Sequence, residues 1–419
     1  MNQSSKKIWI VTPYYPPDGG PSVPIYSGIA EAFVANGYKV EIISAFPHYK
    51  TSVSAGYRGK WFVSEKYGDI SVYRGFVSAG NVSSIGKRLL NYLSMDLSAA
   101  ISAFRHLKPD LVLTHTPILM IGLAALLLKR FRGVPFLYHV QDLYPDVIVH
   151  AGAIRRGWLS HLLAMQERRA YMSSAHIVTI SEGQKEALIG RGVPGRKITI
   201  IPNFVHTDFI SPREKETFIR KNLGLNDKII VTYIGNLGLA QSVETILSAA
   251  KILQEQTKLH FMIVGGGVRR DTLLQMKIRH KLDNVTFMEY PPREQMPEWL
   301  ATADISLVVL KGGICTFAPP SKTWSIMASG RPLIATVEVE SDLGKTIQQT
   351  GAGLVVPPEN PKSLAEAISQ LADSPEMREK MGKAGRSYVE TDLNQPKVMK
   401  QWIELAGETI SLSAKKSSK

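Results

Sequence analysis

A lysine flanked by two hydroxyl residues stands where a proline-rich loop runs into a predicted helix, in the segment 318–325 (APPSKTWS). The prolines end the loop, and Ser321 is expected to cap a helix whose first turn holds Lys322 and Thr323. A cation in that turn opposes the helix dipole at a cost of ~0.3–1 kcal/mol unless an anion lies beside it. The pattern therefore favours a diphosphate bound by Ser321, Lys322 and Thr323, with a solvated lysine as the alternative interpretation.

Two glycine-containing turns precede this segment and predict further phosphate contacts. The first lies in 233–242 (YIGNLGLAQS), and the second is the triplet Gly265, Gly266 and Gly267. Each follows a predicted strand and precedes a predicted helix, where backbone N–H groups can bind phosphate. Two such turns in one predicted domain indicate a nucleotide, although the triplet alone is equally compatible with a tight strand–helix turn.

A further glycine turn lies near the N-terminus, within 13–24 (PYYPPDGGPSVP). Gly19 and Gly20 let the backbone approach a ligand closely, just ahead of the first predicted helix. The dinucleotide-binding fingerprint would need a third glycine at a fixed spacing. Prolines stand there instead, so an NAD or FAD site is disfavoured. An ordinary proline-glycine loop is the alternative interpretation.

Polar side chains also follow a predicted strand in 138–146 (YHVQDLYPD). His139 is expected to hydrogen-bond a sugar hydroxyl, and Asp142 to orient that hydroxyl or to act as a base. The residue types are equally compatible with a structural histidine followed by helix-capping aspartates.

The elements that would position these residues alternate along the whole chain. Short β-branched runs, beginning with KIWIVT at 7–12, alternate with helical patterns, which predicts parallel sheets covered on both faces. The pattern pauses at a predicted linker, 202–213, and then resumes. The predicted fold class is α/β, with two Rossmann-like doubly wound parallel-sheet domains facing a central cleft. The predicted domains are 1–203 and 204–394, and a last helix, 395–419, is expected to pack back on the first.

Composition narrows the possible function classes. Hydrophobic residues make up 44% of the 419 residues and charged residues 21%, which is ordinary for a globular protein and excludes wholesale disorder. The single cysteine, Cys315, excludes an intramolecular disulfide, and no residue spacing suggests a metal site. Neither a signal peptide nor a membrane-spanning stretch is expected from the apolar runs.

Positive charge is concentrated in the first half of the chain. Residues 1–205 hold 23 Lys and Arg against 12 Asp and Glu, a net charge of +11 out of +14 for the whole chain. Such asymmetry favours an anionic surface or substrate. Basic groups near apolar residues suit anionic lipid headgroups, with a solvated basic face as the alternative; they are Lys87-Arg88, Lys129-Arg130-Arg132, Arg155-Arg156 and Arg168-Arg169. No nucleic-acid partner is expected, because no nucleic-acid-binding module is recognised.

The order of these motifs resembles a known family. The glycine pair, the strand-end histidine, IPN at the linker, YIGNLGLAQS, VGGG and PPSKTWSIMASGRPLIA together resemble the retaining GT-B glycosyltransferases of family 4. Within that family the chain is similar to the colanic-acid and O-antigen type sugar transferases of bacterial polysaccharide assembly. The likeness extends from Ile8 to about Leu405.

The resemblance implies a nucleotide-sugar donor bound mainly by the second domain. His139 matches the family's sugar-contacting histidine, and Lys322 would hold the diphosphate; with Asp142, whose role is expected from its residue type and position, they are the candidate catalytic residues. Tyr290 and Pro291 would form the loop that contacts the base. The implied donor-binding residues are Gly19, Gly20, Asn236, Gly238, Gln241, Gly265, Gly266, Gly267, Tyr290, Pro291, Ser321 and Thr323.

The chain departs from the family pattern at four positions. Phe317 and Ser325 stand where most members carry two glutamates. Asn236 and Gln241 stand near the positions of an arginine and a lysine. Lys322 is therefore expected to supply positive charge from a different place.

The implied reaction is the displacement of a nucleoside diphosphate from an anomeric carbon by an acceptor hydroxyl, with retention of configuration. The donor would carry a hexosamine or deoxyhexose on UDP, and the acceptor would be a lipid-diphosphate-linked saccharide. No cofactor and no metal are expected, because cations and backbone amides would stabilise the leaving group. The protein would be cytoplasmic and peripheral, on the anionic inner face of the plasma membrane. A UDP-sugar 2-epimerase and an inactive GT-B partner subunit stay open as alternatives.

Overall fold

The computed structural model describes residues 6–20, 22–49, 53–78, 85–117 and 122–417. They form two compact units. The first comprises the chain up to Pro145, Arg156–Pro202 and the part from Pro396 onward, and the second comprises Asp146–Arg155 and Asn203–Gln395. The sequence predictions that lie outside the described residues include Pro21 of the N-terminal glycine loop, residues 418–419 of the predicted last helix and the side chain of Arg88.

A sheet with eight described strands organises the first unit, in the order β3-β4-β2-β1-β5-β6-β7-β8. The strands are β1 Lys7–Val11, β2 Lys39–Ala45, β3 Phe62–Tyr67, β4 Ile70–Gly75, β5 Leu111–His115, β6 Phe136–Val140, β7 His176–Thr179 and β8 Ile198–Ile200. All neighbours pair in parallel except β3 and β4, which run antiparallel. The sequence patterns did not predict β3, because its residues FVSEKY are partly buried or exposed and form no apolar run.

The described α-helices that precede residue 203 are α1 Val23–Ala35, α2 Ile85–Arg105, α3 Leu123–Arg132, α4 Asp146–His150, α5 Trp158–Ser173 and α6 Glu182–Gly190. Of these, α4 groups with the second unit. It was not predicted, because five residues are too few to show a helical period.

A six-stranded sheet organises the second unit, in the order β11-β10-β9-β12-β13-β14, and all its pairs are parallel. Its strands are β9 Ile229–Ile234, β10 Leu259–Val264, β11 Val285–Met288, β12 Ile305–Val309, β13 Leu333–Thr336 and β14 Gly353–Val356. The remaining helices are α7 Phe218–Asn222, α8 Val243–Ile252, α9 Arg270–Arg279, α10 Met296–Ala301, α11 Lys322–Ala328, α12 Asp342–Thr350, α13 Pro361–Asp373, α14 Pro375–Asp392 and α15 Gln395–Ser417.

Burial explains why the strand sequences are nearly continuous apolar runs. Every residue of β5, β6, β12 and β13 is buried. Parallel strands covered by helices on both faces require such runs, so the predicted α/β doubly wound class is confirmed. The C-terminal helix α15 adds Trp402 to the core of the first unit, where its ring lies 4.9 Å from that of His139. Among the described helices none is both long and apolar enough to cross a membrane.

Candidate functional site

The glycine turns and Lys322 lie at the carboxyl edge of the second unit's sheet. Strand β9 lies between β10 and β12, so the direction of winding reverses beside it. Ligands of open α/β sheets bind at the carboxyl edge where such a reversal occurs. The loops that follow β9 and β12 meet there, because the Lys311 N–H donates to the Ala240 carbonyl at 3.0 Å. The topology thus places the predicted donor residues at the position where a ligand is expected.

The turns after β9 and β10 interlock through their backbones. The Leu237 N–H donates to the Gly266 carbonyl at 2.9 Å. Gly265 and Gly267 have φ angles of +148° and +153°. A Cβ at these positions would collide with the carbonyl oxygens of Gly235 and Leu237 respectively, so only glycine fits both.

Gly266 borders open space beside these two residues, because an added Cβ would meet no atom within 4 Å. No described residue accepts a hydrogen bond from the N–H of Gly266 or of Gly267. These two donors are therefore available to an anion, as in other phosphate-binding turns.

The side chains of Asn236 and Gln241 converge over Gly238. A Cβ on Gly238 would lie 2.5 Å from Asn236 Nδ2 and 2.8 Å from Gln241 Oε1. The Tyr233 hydroxyl fixes this turn by donating to the Asn236 carbonyl at 2.7 Å. The Gln241 Oε1 is buried and has no hydrogen-bond donor among the described residues. A buried oxygen without a donor is unfavourable, so this atom is a candidate ligand contact.

Lys322 is the first residue of α11, and its ammonium lies 3.7 Å from the centre of the Tyr233 ring. Its Nζ would also lie 3.0 Å from a Cβ on Gly235, so Lys322 borders the glycine turn that follows β9. Burial lowers the pKa of Lys322 to about 7. No carboxylate in the described part of the chain pairs with this ammonium. A desolvated cation over an aromatic face, without a counter-ion, is stabilised when an anion enters.

The hydroxyl residues beside Lys322 differ from the sequence expectation. Ser321 precedes α11 with helical backbone angles, and its side chain makes no capping hydrogen bond, so the predicted Ser321 cap is wrong. A capping serine needs an extended backbone to aim its oxygen at the first free N–H groups. Ser321 is exposed, whereas Thr323 is buried and its hydroxyl donates to the Pro320 carbonyl at 2.8 Å. Their contact with a diphosphate stays a prediction.

Tyr290 and Pro291 follow β11 at the same edge of the sheet. The Gly265 N–H donates to the Met288 carbonyl at 3.0 Å, which joins this loop to the glycine triplet. Tyr290 is 53% exposed, whereas Pro291 is buried. The exposed tyrosine ring is thus the member of the pair that can stack on a ligand, and its contact with a base stays a prediction.

His139 lies at the end of β6 in the first unit, inside a buried polar cluster. Its Nδ1 is 3.0 Å from the Tyr26 hydroxyl and its Nε2 is 2.9 Å from Gln141 Nε2. Burial and the neighbouring His115 lower the pKa of His139 to about 3, so the ring is neutral. In this structure His139 is 1% exposed, and both ring nitrogens are already hydrogen-bonded.

Asp142 follows His139 by three residues and is partly exposed. Its N–H donates to the Thr116 hydroxyl at 3.2 Å. Burial raises the pKa of Asp142 to about 6. A carboxyl that titrates near neutrality could accept a proton from a hydroxyl, which is the role predicted for it. Among the described residues, no group of three or more His, Cys, Asp or Glu side chains is arranged to hold a metal.

Asp18 holds the N-terminal loop that contains Gly19 and Gly20. This carboxylate accepts hydrogen bonds from the N–H groups of Gly19 at 2.9 Å, His48 at 2.9 Å and Tyr49 at 3.0 Å. Gly19 is exposed, and a Cβ there would meet nothing within 4 Å. Gly20 is buried against the Tyr14 ring, which leaves no room for a side chain. The Gly19 amide is therefore used within the protein.

Two family models match the chain on either side of the unit boundary. A model described as "Glycosyl transferase 4-like domain" matches residues 19–203, and one described as "Glycosyl transferases group 1" matches residues 214–388. The chain belongs to the family 4 GT-B glycosyltransferases. The resemblance inferred from the motifs is thereby confirmed.

Individual proteins agree with this assignment. The glycosyltransferase is 28% identical over 390 residues to the putative colanic acid biosynthesis glycosyl transferase WcaI of Escherichia coli K12, covering 90% of this chain and 94% of that protein. Sucrose-phosphate synthase from Thermosynechococcus elongatus superposes with a TM-score of 0.76 at 18% identity, covering 97% and 100% of the two chains. Anabaena HepE in complex with UDP superposes with a TM-score of 0.68 at 14% identity, covering 96% and 100%. Both structures confirm the GT-B fold.

Three features of this glycosyltransferase's site were not predicted. Tyr233 supplies the ring under Lys322, and Gly235 supplies the carbonyl against Gly265. Both residues lie in the predicted turn 233–242, but no local pattern in the sequence indicates these contacts. Phe317, at a family glutamate position, packs its ring 4.5 Å from that of His150 in the unpredicted helix α4.

Proposed function

We propose that this glycosyltransferase transfers a sugar from a UDP-sugar to a lipid-diphosphate-linked saccharide in the synthesis of a bacterial surface polysaccharide, either O-antigen or exopolysaccharide. The sugar is a hexosamine or a deoxyhexose, and the anomeric configuration is retained. Support for the pathway comes from the name of the relative WcaI, and support for uridine comes from the UDP bound to HepE.

The proposal depends mainly on the Lys322 ammonium, which lies beside the glycine turn that follows β9. This ammonium is desolvated and has no carboxylate partner among the described residues. An isolated cation in such a position is costly unless its ligand is an anion. The leaving nucleoside diphosphate supplies that anion. Its charge grows as the glycosidic bond breaks, so Lys322 stabilises the transition state more than the ground state.

The glycine turns complement Lys322 with main-chain donors. The N–H groups of Gly266 and Gly267 are assigned to phosphate oxygens, and the Gln241 Oε1 to a hydroxyl or N–H of the donor. Tyr290 is assigned to the base by stacking. Because these groups already neutralise the leaving group, we expect turnover to persist without a metal. Turnover lost in excess EDTA and restored by Mg²⁺ would contradict this part.

A panel of nucleotides tests donor recognition. Differential scanning fluorimetry and calorimetry with UDP, GDP, ADP and dTDP should show the largest stabilisation with UDP, by the mass-action shift of a ligand that binds only the folded state. The Lys322→Met variant should lose that shift, whereas Lys345→Met, at an exposed lysine of α12, should keep it. A preference for another nucleotide would overturn the assignment of uridine but not of the site.

Membrane attachment is proposed from an exposed apolar stripe on α2. Five exposed apolar side chains recur there every three or four residues: Leu90, Leu93, Leu97, Ile101 and Phe104. That spacing places them on one face of the helix. The neighbouring α3 adds the exposed Phe131, whose ring lies 6.4 Å from that of Phe104, and the exposed Lys129 and Arg130. Apolar side chains rimmed by basic ones are typical of a surface that binds anionic lipid.

Vesicle flotation tests this surface and, with it, peripheral attachment to the inner face of the plasma membrane. The wild-type protein should float with phosphatidylglycerol vesicles at low salt, and a Leu93→Asp, Leu97→Asp double variant should not. Leu412→Asp changes an apolar residue of α15 that is 61% exposed, and it should float like the wild type. Equal recovery of all three proteins, or no preference for anionic vesicles, would overturn the proposal.

A non-catalytic partner subunit is the alternative that one observation favours. Phe317 places a ring where most family members carry a glutamate, and that ring packs on His150. Incubation of the purified protein with UDP-N-acetylglucosamine and a lipid-diphosphate acceptor separates the possibilities. Transfer with release of UDP supports the proposal, and an epimerised donor without transfer supports a 2-epimerase. Donor binding without turnover of any kind supports the inactive subunit.

A further inference from the structure

A cavity of about 500 Å³ lies at the amino edge of the second unit's sheet, the edge opposite the glycine turns. Asp304, which precedes β12, lines it, and so do Arg331 and Pro332, which precede β13. It shares no lining residue with the candidate donor site. Its volume falls within the range of about 300–1,000 Å³ that is typical of small-molecule sites.

Positive charge predominates in the cavity walls. Five basic and three acidic side chains line it: Lys215, Arg331, Arg378, Lys383 and Arg386 against Asp304, Glu379 and Glu390. The three acids are paired with Lys215 at 3.5 Å, Lys383 at 2.5 Å and Arg386 at 2.5 Å. Two guanidinium groups therefore stay without a carboxylate partner in the described part of the chain.

Those two guanidinium groups, of Arg331 and Arg378, contact backbone carbonyls only. Arg331 donates through Nη2 to the carbonyls of Arg213 at 2.7 Å and Ala301 at 2.8 Å. Its Nε is buried and has no acceptor among the described residues. Burial also lowers the pKa of Arg331. A buried donor of a cationic group without an acceptor is costly, and an anion in the cavity would remove that cost.

The start of α14 adds to the positive potential. Pro375, the first residue of this 18-residue helix, lines the cavity, and Arg378 stands one turn later. The Arg378 guanidinium donates to the carbonyls of Leu371 and Ala372 at the end of α13, and an anion beside the start of α14 would be attracted by both this guanidinium and the helix dipole. The unpaired Arg331 Nε and the helix start are independent observations, and both point to the same kind of ligand.

We propose that this cavity binds a small phosphorylated anion of the size of a sugar phosphate, through Arg331 and Arg378. A guanidinium matches phosphate oxygens in geometry and charge, which favours phosphate over a neutral ligand. Inorganic phosphate would fill only a small part of the cavity volume. The rest of the cavity accommodates the sugar-sized group to which the phosphate is attached. The inference does not depend on the proposed donor or acceptor.

Selective ¹⁵N-arginine labelling of the full chain tests the proposal directly. The Arg331 Nε–H resonance, assigned by its loss in Arg331→Lys, should shift and saturate when glucose 1-phosphate is added. Inorganic phosphate should shift the same resonance at about fivefold or more higher concentration, since it makes fewer contacts. No shift of Arg331 with either probe up to about 10 mM, a very weak affinity, would overturn the site. Equal affinity for both probes would overturn the sugar-phosphate size.

Matched variants separate this cavity from general charge and from the donor site. Arg378→Gln and Lys383→Ala, which remove lining charges, should each weaken glucose 1-phosphate binding about three- to tenfold. Lys380→Ala removes an exposed lysine from the same helix without touching the cavity, and it should change the affinity less than twofold. Equal weakening by Lys383→Ala and Lys380→Ala would overturn the proposal. Lys322→Met should leave the Arg331 shift unchanged, so failure of the donor assignment would not imitate failure here.

Discussion

The polar groups in the loops at the carboxyl edges of the two sheets differ in their hydrogen-bond partners. In the second unit, the Lys322 ammonium contacts the Tyr233 ring but has no carboxylate partner among the described residues, and neither the Gln241 Oε1 nor the N–H of Gly266 has a hydrogen-bond partner there. In the first unit, both ring nitrogens of His139 and the N–H of Gly19 are hydrogen-bonded within the protein. The buried atoms near the Gly19 loop that have no partner among the described residues, Ser22 Oγ and His48 Nε2, belong to a hydroxyl and an imidazole rather than to an ammonium. Equivalent positions of two doubly wound sheets therefore have different consequences for ligand binding.

The difference indicates which polar groups stabilise the folded protein and which are left to bind a ligand. Unpaired, desolvated polar groups lower stability and bind a ligand that supplies the missing partner. Groups that already have partners hold a loop in shape and give up those bonds only at a cost. We therefore expect removal of an unpaired group, such as the Lys322 ammonium, to change binding more than stability, and removal of a hydrogen-bonded group, such as the His139 ring, to do the reverse.

The largest expected effect is on turnover in Lys322→Met. Loss of the ammonium should reduce the transfer rate by about 10²–10³-fold, the range found when one preorganised charge-stabilising donor is removed. The melting temperature should not fall, because a desolvated, unpaired cation is replaced by an apolar group. Steady-state kinetics with Lys345→Met as the control check this. A rate within threefold of the wild type would show that Lys322 is not in the site.

Next in size is the contrast between two glycines. Gly265→Ala should lower the free energy of unfolding by about 3 kcal/mol or more, because φ is +148° and the new methyl meets the Gly235 carbonyl. Gly19→Ala should change it by less than about 0.5 kcal/mol, since its Cβ position is open. Chemical denaturation of the two variants checks this, and equal destabilisation would contradict the requirement for glycine at position 265.

A smaller loss is expected in His139→Phe. Removal of the ring nitrogens takes one hydrogen bond from the Tyr26 hydroxyl and one from the Gln141 amide, two groups that also interact with each other. A buried group that loses its hydrogen bond costs about 1–3 kcal/mol, and because Tyr26 and Gln141 retain their mutual contact we expect a total within that range in denaturation. Unchanged stability together with lost turnover would instead show that His139 opens to contact substrate, as the sequence prediction has it.

The smallest effect is a gain in stability in Asp142→Asn. The folded-state pKa of about 6 lies above that of an exposed aspartate, so ionisation destabilises the folded state as the pH rises from about 4 to 6. Above pH 6 the variant should be more stable by about 1–2 kcal/mol, less than the full shift implies because the side chain is partly exposed. The two proteins should converge below pH 4. A variant less stable than the wild type at pH 7 would contradict this account.

Much of the fold could be predicted because buried parallel strands leave a plain signal. The run Ile305–Val309 is apolar apart from Ser306 and forms β12, and Leu111–His115 in β5 is apolar apart from its last two residues. The strand Phe62–Tyr67 was missed because one antiparallel edge strand needs no apolar run. The grouping of Asp146–Arg155 with the second unit was missed because it depends on tertiary contacts alone.

The sequence predicts which residues and turns belong to the candidate site, but not the contacts that they make. The spacing of glycines after strands indicated the turns after β9 and β10, and local physics was sufficient for that. The contact of Lys322 with Tyr233 joins residues far apart in sequence, so no local pattern could show it. The Ser321 cap was wrong because capping depends on backbone angles that the residue type does not set. The donor and catalytic roles of the individual residues stay predictions.

The most direct test of the central claim is the pH dependence of nucleotide-sugar binding by calorimetry. UDP-glucose suits it, because its diphosphate does not titrate near neutrality. The pKa of Lys322 is about 7 in the free protein, so affinity should be constant below pH 7 and should fall up to about tenfold per pH unit above it, with proton uptake. Lys322→Arg, whose charge does not titrate, should bind with no such fall. An affinity that is independent of pH between 6 and 9 in the wild type, or an equal fall in the arginine variant, would contradict the claim that the Lys322 ammonium holds the diphosphate.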